Sequence, residues 1–337
     1  MKRSIVFATP TFLPLIDVAK KAEAANFDRI WTTENPSRDA LIRGLTLALH
    51  TKTIGVGTGI AYAFTRAPLA MAAAVSDIDV ATNGRFVIGL GVGTQGMRSR
   101  WYGLPDFDHP ASRIEEYVQV LRNAWQSEHK FEHKGRFYEG NYPSLDGVRR
   151  PVPIWGSGIN SAMLRISARS CDGVATHPLC ANLKYLDKTV LPAINEGKEA
   201  HHRTVELAIW RITSINSNGD LARERARRNL AFYFSTPSYA AAAIDTGWGE
   251  ISENVQSLYK EIGADWGKIA KLIPEEMVNE FTFAGTPEEV FDQWVSVEKD
   301  YQDRGVSEIV FQTVGSDDVE EETIENLHCI VTTFARE

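Results

Sequence analysis

The sequence predicts a (β/α)8 barrel, an α/β fold in which eight parallel strands alternate with helices. Short runs rich in β-branched residues alternate with helical patterns along the 337 residues, which is typical of βα units around a parallel sheet. Several of these runs are continuously apolar, such as RFVIGLGV at residues 85–92, as expected for strands covered on both faces. We expect a single domain over residues 1–337.

Eight strands can be assigned in chain order, with helices between them. The predicted strands are residues 4–9, 29–33, 53–61, 85–92, 152–155, 173–176, 206–215 and 308–314. The predicted helices are residues 13–26, a stretch ending at Leu49, and 68–82, 112–125, 162–170, 183–198, 288–304 and 320–334. A small hairpin is expected around Lys134-Gly135. Residues 236–283 contain short helical patterns and no expected strand, so we interpret them as an insertion between strands seven and eight.

Composition and charge exclude several classes of protein. The net charge of −8 disfavours a nucleic-acid partner, since phosphate binding requires a basic face. The three cysteines lack CxxC spacing, which predicts buried or half-buried thiols rather than disulfides or a zinc site. No stretch reaches about 18 apolar residues and the N-terminus reads as a buried strand, so we expect no membrane span, no signal peptide and a cytoplasmic protein.

The turn after the fifth strand is a candidate phosphate site. Ligands of such barrels bind where the strands end, and here the sequence WGSGINSA at residues 155–162 runs directly into a helix. Glycines let the backbone approach a ligand, and a helix N-terminus offers N–H groups to an anion. A glycine-rich turn before a helix is equally a common structural device, so this pattern alone leaves both interpretations open.

Glycines also follow the third and fourth strands. Gly57 and Gly59 weaken the third strand and indicate either a functional backbone contact or a plain structural kink. The segment Gly89–Gln95 is similar to a dinucleotide fingerprint, but its third glycine is wrongly spaced and no helix is expected to open there, so that interpretation is weak. A narrow backbone passage under a planar ligand fits this segment at least as well.

Three titratable side chains are candidates for chemistry at the same rim. Glu34 follows the second strand and His177 the sixth, although a solvated glutamate and a structural histidine are the alternatives. Asp108 is expected to cap the long helix with Pro110 near its first position, and His109 could point into the cleft. The chain has no GxSxG, HExxH or P-loop motif, and metal binding is not expected.

Taken together, the rim segments resemble the luciferase-like monooxygenase superfamily, which comprises barrel enzymes that use FMN or the deazaflavin coenzyme F420. The matching segments run in family order from residue 4 to about 314. They are GTGIAYAFTRAP at Gly57–Pro68, NGRFVIGLGVG at Asn83–Gly93, HPASRIEEY at His109–Tyr117, PVPIWGSG at Pro151–Gly158, CDG at Cys171–Gly173 and GTPEEV at Gly285–Val290. Within the superfamily the chain looks like the F420-dependent branch.

The resemblance implies specific roles for rim residues. It implies a non-prolyl cis peptide at Gly59-Ile60, whose bulge would support the deazaflavin from behind. It also implies that Gly156, Ser157, Gly158 and Ile159 hold the cofactor phosphate. Two departures matter: Glu34-Asn35 stands where several relatives have Asp-His, and Gln95 lies in the segment where relatives have a glutamate. Gln95 can donate a hydrogen bond but cannot supply a proton.

The expected function is therefore hydride transfer between coenzyme F420 and an unidentified small organic substrate. The protein would supply positioning and polar contacts, and the cofactor the redox chemistry. Glu34, His177 and His109 are the candidates for proton transfer. An FMN-dependent monooxygenase and a non-catalytic flavin- or deazaflavin-binding protein are the alternatives, and the resemblance implies a homodimer.

Overall fold

The computed structural model describes residues 1–104, 108–145, 151–200, 204–314 and 320–336. These residues form two compact units. The first unit comprises Met1–Asp28, Thr176–Pro192 and Leu207–Glu337, and the second unit comprises Arg29–Ala175 and Ala193–Glu206. The single-domain boundary of 1–337 stays a prediction.

All eight predicted strands are present, with ends that differ from the prediction by at most three residues, and the third is divided in two. The strands are β1 Lys2–Phe7, β2 Arg29–Thr32, β3 Gly55–Thr58, β4 Ala61–Tyr62, β5 Phe86–Gly91, β6 Phe131–Lys134, β7 Glu139–Tyr142, β8 Ile154–Gly158, β9 Gly173–Thr176, β10 Glu206–Ile215, β11 Thr282–Gly285 and β12 Glu308–Thr313. The expected hairpin is formed by β6 and β7, which pair antiparallel.

The helices alternate with these strands along the chain. They are α1 Leu15–Ala24, α2 Ala40–Leu49, α3 Pro68–Ala81, α4 Gln95–Trp101, α5 Pro110–Gln126, α6 Ser161–Ser170, α7 Leu183–Tyr185, α8 Leu191–Glu199, α9 Gly219–Phe234, α10 Ala240–Thr246, α11 Gly249–Ile262, α12 Trp266–Ile269, α13 Glu275–Phe281, α14 Pro287–Asp303 and α15 Glu320–Thr333. The helix predicted over 183–198 is interrupted by a π-helical turn at Leu186–Val190.

The sheet order confirms the predicted fold class. In the second unit the strands follow the order β2-β3-β5-β8-β9, with the short β4 pairing with β5. In the first unit the order is β11-β10-β12-β1. Parallel pairing joins β1 to β12 and β10 to β12 in the first unit. In the second unit it joins β2 to β3, β3 to β5 and β5 to β8. Eight parallel strands with intervening helices constitute the (β/α)8 barrel class.

The core of the second unit explains why α3 and α5 form where the apolar spacing predicted them. Met71 and Val75 on α3, and Tyr117 and Leu121 on α5, are fully buried at four-residue spacing, which places each pair on one helix face. They pack in one cluster with the buried strand residues of this unit. The Trp125 indole N–H donates to the Ala72 carbonyl at 3.1 Å, which satisfies its polar atom inside the core.

The insertion between the seventh and eighth barrel strands, β10 and β12, is present, but the expectation that it holds no strand is wrong. β11 pairs parallel with the end of β10, from Ile212 opposite Thr282 to Ile215 opposite Gly285. All four β11 residues are buried, so this short run lacks the alternation of polar and apolar residues that would indicate a strand. The α9 helix that precedes the insertion was also not assigned from the sequence, although its buried Ala222, Ala226 and Leu230 recur every four residues.

Two expectations about helix beginnings are also wrong. A helix does open after the fourth strand: α4 begins at Gln95, and the Thr94 hydroxyl accepts from the Met97 amide at 3.3 Å. At seven residues the helix is too short to display an apolar period, and Thr94 is the N-cap signal in its sequence. The N-cap of α5 is His109 and not Asp108, without a side-chain cap, while Pro110 occupies the first turn as expected.

Two compositional expectations can be compared with the structure. Cys171 and Cys180 are buried and Cys329 is half-buried, as predicted for thiols of this kind. Within the part of the chain that the structure describes, none of the helices combines the length and apolarity that crossing a membrane would require.

Candidate cofactor site

Gly57 lacks a side chain because Trp31 and Val87 occupy the space beside it. A Cβ at Gly57 would lie 2.8 Å from the Trp31 ring and 2.7 Å from Val87 Cγ2. Trp31 meets Trp155 edge to face, with ring centroids 5.4 Å apart, and the Arg29 guanidinium lies 4.9 Å from the Trp31 ring centroid. Packing of these large side chains, rather than contact with a ligand, accounts for this glycine.

The third strand is interrupted by a turn at Gly59-Ile60, whose peptide bond is cis, as the resemblance implied. The Gly59 amide donates to the Thr32 carbonyl at 2.7 Å, and the Glu34 amide donates to the Ile60 carbonyl at 3.2 Å. On the other side, the Thr58 hydroxyl contacts the Gly89 carbonyl at 2.7 Å. The turn is thus attached to the residues that follow the second strand and to the fourth barrel strand, β5.

This turn meets the glycine-rich turn that follows the fifth barrel strand, β8. A Cβ at Gly91 would lie 2.0 Å from Ile60 Cδ1 and 2.7 Å from Ser157 Oγ, so Ile60 and Ser157 approach each other over the bare backbone of Gly91. Leu90 pairs with Gly156 in the sheet. The structure therefore brings together the two turns that the sequence analysis singled out, and Gly91 is the residue that permits their contact.

The turn at Gly156–Ile159 leads into α6 as expected. A Cβ at Gly158 would lie 2.9 Å from Met163 Cβ and 3.0 Å from the Leu164 nitrogen, so this glycine allows the turn to lie against the first turn of the helix. Asn160 caps α6, its side-chain oxygen accepting from the Met163 amide at 3.0 Å. The first turn contains no acidic residue, so the helix N-terminus keeps its attraction for an anion.

Gln95 occupies the first position of α4 and is exposed. Its carbonyl accepts from the Ser99 hydroxyl at 2.9 Å. The structure gives the Gln95 side chain no contact with the two turns, so its role toward a cofactor or a substrate oxygen stays a prediction.

Glu34 is buried and ion-paired. The Arg66 Nη1 atom donates to both carboxylate oxygens, at 2.8 and 3.0 Å, and the Tyr62 amide donates to Oε2 at 3.3 Å. Arg66 also bonds Asp39 through Nη2 at 2.5 Å. Burial raises the pKa of the Glu34 carboxyl above its usual value, and the Arg66 charge opposes this shift.

His177 lies in the first unit among aromatic side chains. Its ring centroid is 4.7 Å from that of Tyr233 and 4.3 Å from that of Tyr239, and its Nδ1 accepts from the Leu179 amide at 3.3 Å. Burial lowers the pKa of His177 to about 3. The ring is therefore neutral at physiological pH, and because Nδ1 is an acceptor the proton resides on Nε2.

His109 belongs to the second unit and is exposed at the start of α5. It adopts a left-handed backbone conformation, with φ 49° and ψ 50°, and its ring centroid lies 6.5 Å from that of Phe137. The structure thus places Glu34 beside the Gly59-Ile60 turn, whereas His109 lies at a helix terminus and His177 in an aromatic cluster of the other unit.

Comparison with known proteins identifies the family. Residues 5–308 match the family model described as luciferase-like monooxygenase. The chain belongs to the luciferase-like monooxygenase family. An uncharacterized protein of Mycobacterium tuberculosis is 30% identical to this luciferase-like chain over 284 residues, which is 80% of this chain and 82% of that protein.

Other relatives of this luciferase-like chain carry names that specify a reaction. The 5,10-methylenetetrahydromethanopterin reductase of Archaeoglobus fulgidus is 25% identical, covering 86% of each chain. The F420-dependent glucose-6-phosphate dehydrogenase of Amycolatopsis mediterranei is 26% identical, covering 90% of this chain and 89% of that enzyme. The family thus contains oxidoreductases, and this chain is an enzyme of that class.

Solved structures confirm the barrel fold of this luciferase-like chain. The coenzyme F420-dependent tetrahydromethanopterin reductase of Methanopyrus kandleri has a TM-score of 0.81 at 21% identity, covering 98% of this chain and 97% of that one. The oxygenating constituent of 3,6-diketocamphane monooxygenase from Pseudomonas putida, solved in complex with FMN, has a TM-score of 0.69 at 16% identity, covering 99% and 98%.

Arg66 is the residue of this luciferase-like site that sequence reasoning missed. Arg66 belongs to the third-strand motif at Gly57–Pro68, but the motif assigned it no role. Its partner Glu34 lies 32 residues earlier, and no spacing rule connects two loops so far apart. The charge pattern did not indicate Arg66 either, because the loop that holds Glu34 and Asp39 already contains a basic residue, Arg38.

Proposed function

We propose that this chain is an F420-dependent oxidoreductase that transfers a hydride between the deazaflavin and a small organic substrate. The structural observation that carries the proposal is that the Gly59-Ile60 turn and the Gly156–Ile159 turn both lie against Gly91. The named relatives support F420 as the cofactor, since an F420-dependent dehydrogenase and a structurally similar F420-dependent reductase each cover most of the chain.

The residues present fit such a cofactor. Gly59 and Ile60 would form the wall behind the ring, and Gly156, Ser157, Gly158 and Ile159 would hold the phosphate at the N-terminus of α6. The absence of an acidic side chain in the first turn of that helix suits an anion. Gln95 would contribute a hydrogen bond from the start of α4. When bound, a deazaflavin supplies hydride transfer at its C5 atom.

Three groups are proposed for moving a proton, and their surroundings favour different roles. His177 is neutral with its proton on Nε2, so it would act as a hydrogen-bond donor toward a polar substrate atom. Glu34 is held by Arg66 and by the Tyr62 amide. His109 is exposed at the start of α5 and would be accessible to a substrate. None of these roles depends on a metal ion.

An FMN-dependent monooxygenase is the second candidate, favoured by the similarity to the FMN-bound oxygenating constituent of 3,6-diketocamphane monooxygenase. Titration of the apo-protein with F420 and with FMN separates the two candidates, because we expect tighter binding of F420. Tighter binding of FMN by more than tenfold would reverse the assignment. Turnover of bound F420 with any member of a substrate panel would dismiss a purely binding function.

The assembly and location of the protein are part of the proposal. We propose a homodimer in the cytoplasm that takes a small organic substrate and binds neither nucleic acid nor membranes. Light scattering coupled to size-exclusion chromatography would measure the mass of the particle. A monomer at micromolar concentration would contradict the dimer.

A further inference from the structure

We propose that Glu34 and Arg66 are a positioning pair that fixes the Gly59-Ile60 turn, and thereby the wall against which the deazaflavin rests. The first half of this inference concerns the chain alone. The second half rests on the proposed function, because it requires a cofactor beside the turn.

Glu34 holds the turn at two points. Its amide donates to the Ile60 carbonyl at 3.2 Å, and its Oε2 accepts from the Tyr62 amide at 3.3 Å. Glu34 therefore holds the main chain at the Ile60 carbonyl and at the Tyr62 amide, on either side of Ala61. Because the first contact uses the main chain and the second uses the carboxylate, only the second can be removed by substitution of the side chain.

Arg66 fixes the carboxylate that makes the second contact. Its Nη1 donates to both oxygens of Glu34, and its Nη2 donates to Asp39. Asp39 is itself fixed, since its other oxygen caps α2 by accepting from the Leu41 and Ile42 amides. The Tyr117 hydroxyl, on α5, donates to the Arg66 carbonyl at 3.1 Å. Arg66 is therefore held through its guanidinium by Asp39 at the start of α2 and through its carbonyl by Tyr117 of α5.

Burial makes this pair interdependent. The Glu34 side chain is only 4% exposed and that of Arg66 is 23% exposed. A buried carboxylate stays ionised only when a cation or several donors compensate for the lost hydration. Without Arg66, Glu34 would therefore take up a proton or turn toward water, and either change would weaken its bond with the Tyr62 amide.

The same contacts make Glu34 poorly suited to accept a proton from a substrate. Both of its oxygens accept from Arg66, and Oε2 also accepts from Tyr62. Three hydrogen bonds occupy most of the lone pairs of this carboxylate, which leaves little room for a substrate proton even though burial raises its pKa. Positioning through hydrogen bonds therefore explains the surroundings of Glu34 better than proton transfer does.

Hydrogen exchange tests the first half without any cofactor. In Glu34→Ala and Arg66→Gln we expect the Tyr62 amide to exchange at least ~10-fold faster than in the unsubstituted protein, because its bond with the Glu34 carboxylate is removed in the first variant and weakened in the second. Glu34→Gln keeps an acceptor oxygen and should give an intermediate exchange rate. This variant replaces Glu34→Ala in the test if Glu34→Ala does not fold. The control is Glu196→Gln, which breaks the exposed Arg165–Glu196 pair of the same unit and should leave Tyr62 unchanged. Unchanged Tyr62 exchange in the Glu34 and Arg66 variants would overturn the proposal.

Cofactor titration tests the second half. We expect Glu34→Gln and Arg66→Gln each to weaken F420 binding at least ~10-fold, and the double variant to be no weaker than the worse single one, since the two residues act as one pair. At saturating F420 the turnover should fall by less than the affinity does, and its pH profile should keep its shape. Unchanged affinity together with a turnover loss of ~100-fold or more would identify Glu34 as a proton-transfer group and refute positioning.

The two proposals fail in different ways. Suppose that the unsubstituted protein binds neither F420 nor FMN while Tyr62 exchange depends on Glu34. The proposed function and the second half of the inference are then refuted, and the pair only stabilises the turn. If F420 binds and turns over while neither substitution changes Tyr62 exchange or affinity, the function stands and the positioning pair is refuted.

Discussion

The Ile60 side chain and the Ser157 hydroxyl approach each other over Gly91, so closely that a Cβ there would lie 2.0 Å from one and 2.7 Å from the other. Two loops almost a hundred residues apart in sequence thus share a contact that depends on the smallest residue. The size of residue 91 consequently controls whether both loops can keep their positions.

Gly91→Ala should displace Ile60 or Ser157, because both lie inside the contact distance of a methyl group. We expect a loss of about 1–3 kcal/mol in the free energy of unfolding and F420 binding weakened at least ~10-fold. Urea unfolding and fluorescence titration would measure these changes. Gly96→Ala is the control: nothing lies within 4 Å of its Cβ, and alanine is the better helix former, so stability should not fall. Equal behaviour of the two variants would contradict the contact.

Gly57→Ala should destabilise the second unit through the rigid ring of Trp31. Overpacking of this kind costs about 1–3 kcal/mol, measurable by urea unfolding. In a Trp31→Phe background the smaller ring relieves its contact with the methyl group, so the added cost of the alanine should be smaller, while Val87 Cγ2 at 2.7 Å keeps part of it. An identical cost in both backgrounds would show that Trp31 is not what excludes a side chain at residue 57.

His177 should make the protein less stable in acid. Its pKa is lowered to about 3 in the fold, against about 6.5 when unfolded. Between these values the unfolded chain binds a proton that the native state excludes, so stability falls as the pH falls, by about 1.4 kcal/mol per pH unit. The effect is absent above about pH 7. His177→Gln should flatten this slope, whereas substitution of the exposed His129 by Gln should preserve it. A slope unaffected by His177→Gln would refute a buried neutral histidine.

Arg211 should anchor the end of the insertion. It is only 4% exposed and donates to the Tyr301 hydroxyl at 2.6 Å, the Thr282 carbonyl at 3.0 Å and the Asn279 carbonyl at 3.2 Å. Arg211→Met would leave these acceptors buried without that donor, so we expect a loss of about 2–4 kcal/mol by thermal or urea unfolding. Arg228→Met, which removes a half-exposed side chain paired with Glu224, should change stability by less than about 1 kcal/mol. Similar losses in both would argue against the anchor.

The strands and the long helices could be predicted because their signals are local. β9 and β10 have the predicted bounds, and α5 follows from apolar residues spaced by one helical turn. We did not predict α4, which is only seven residues long, or β11, whose four buried residues are too few to display a period. Both elements depend on tertiary contacts that no short window contains.

Only those parts of the site that lie in a recognisable sequence motif could be predicted. The glycine-rich turns were visible in the sequence itself, the cis peptide followed from the family resemblance, and the structure places the turns together. The reason for each glycine was not readable: Gly57 makes room for Trp31 and Gly91 for Ile60. The pairing of Glu34 with Arg66 was equally hidden, because it joins two loops whose separation is fixed by the fold.

Asp39 divides its two oxygens between separate tasks: one caps α2 and the other binds Arg66. Asparagine or serine would satisfy the helix, but neither would provide the negative charge. A substitution at residue 39 therefore has to meet two requirements at once, and one that satisfies the helix would still leave the guanidinium without its second carboxylate.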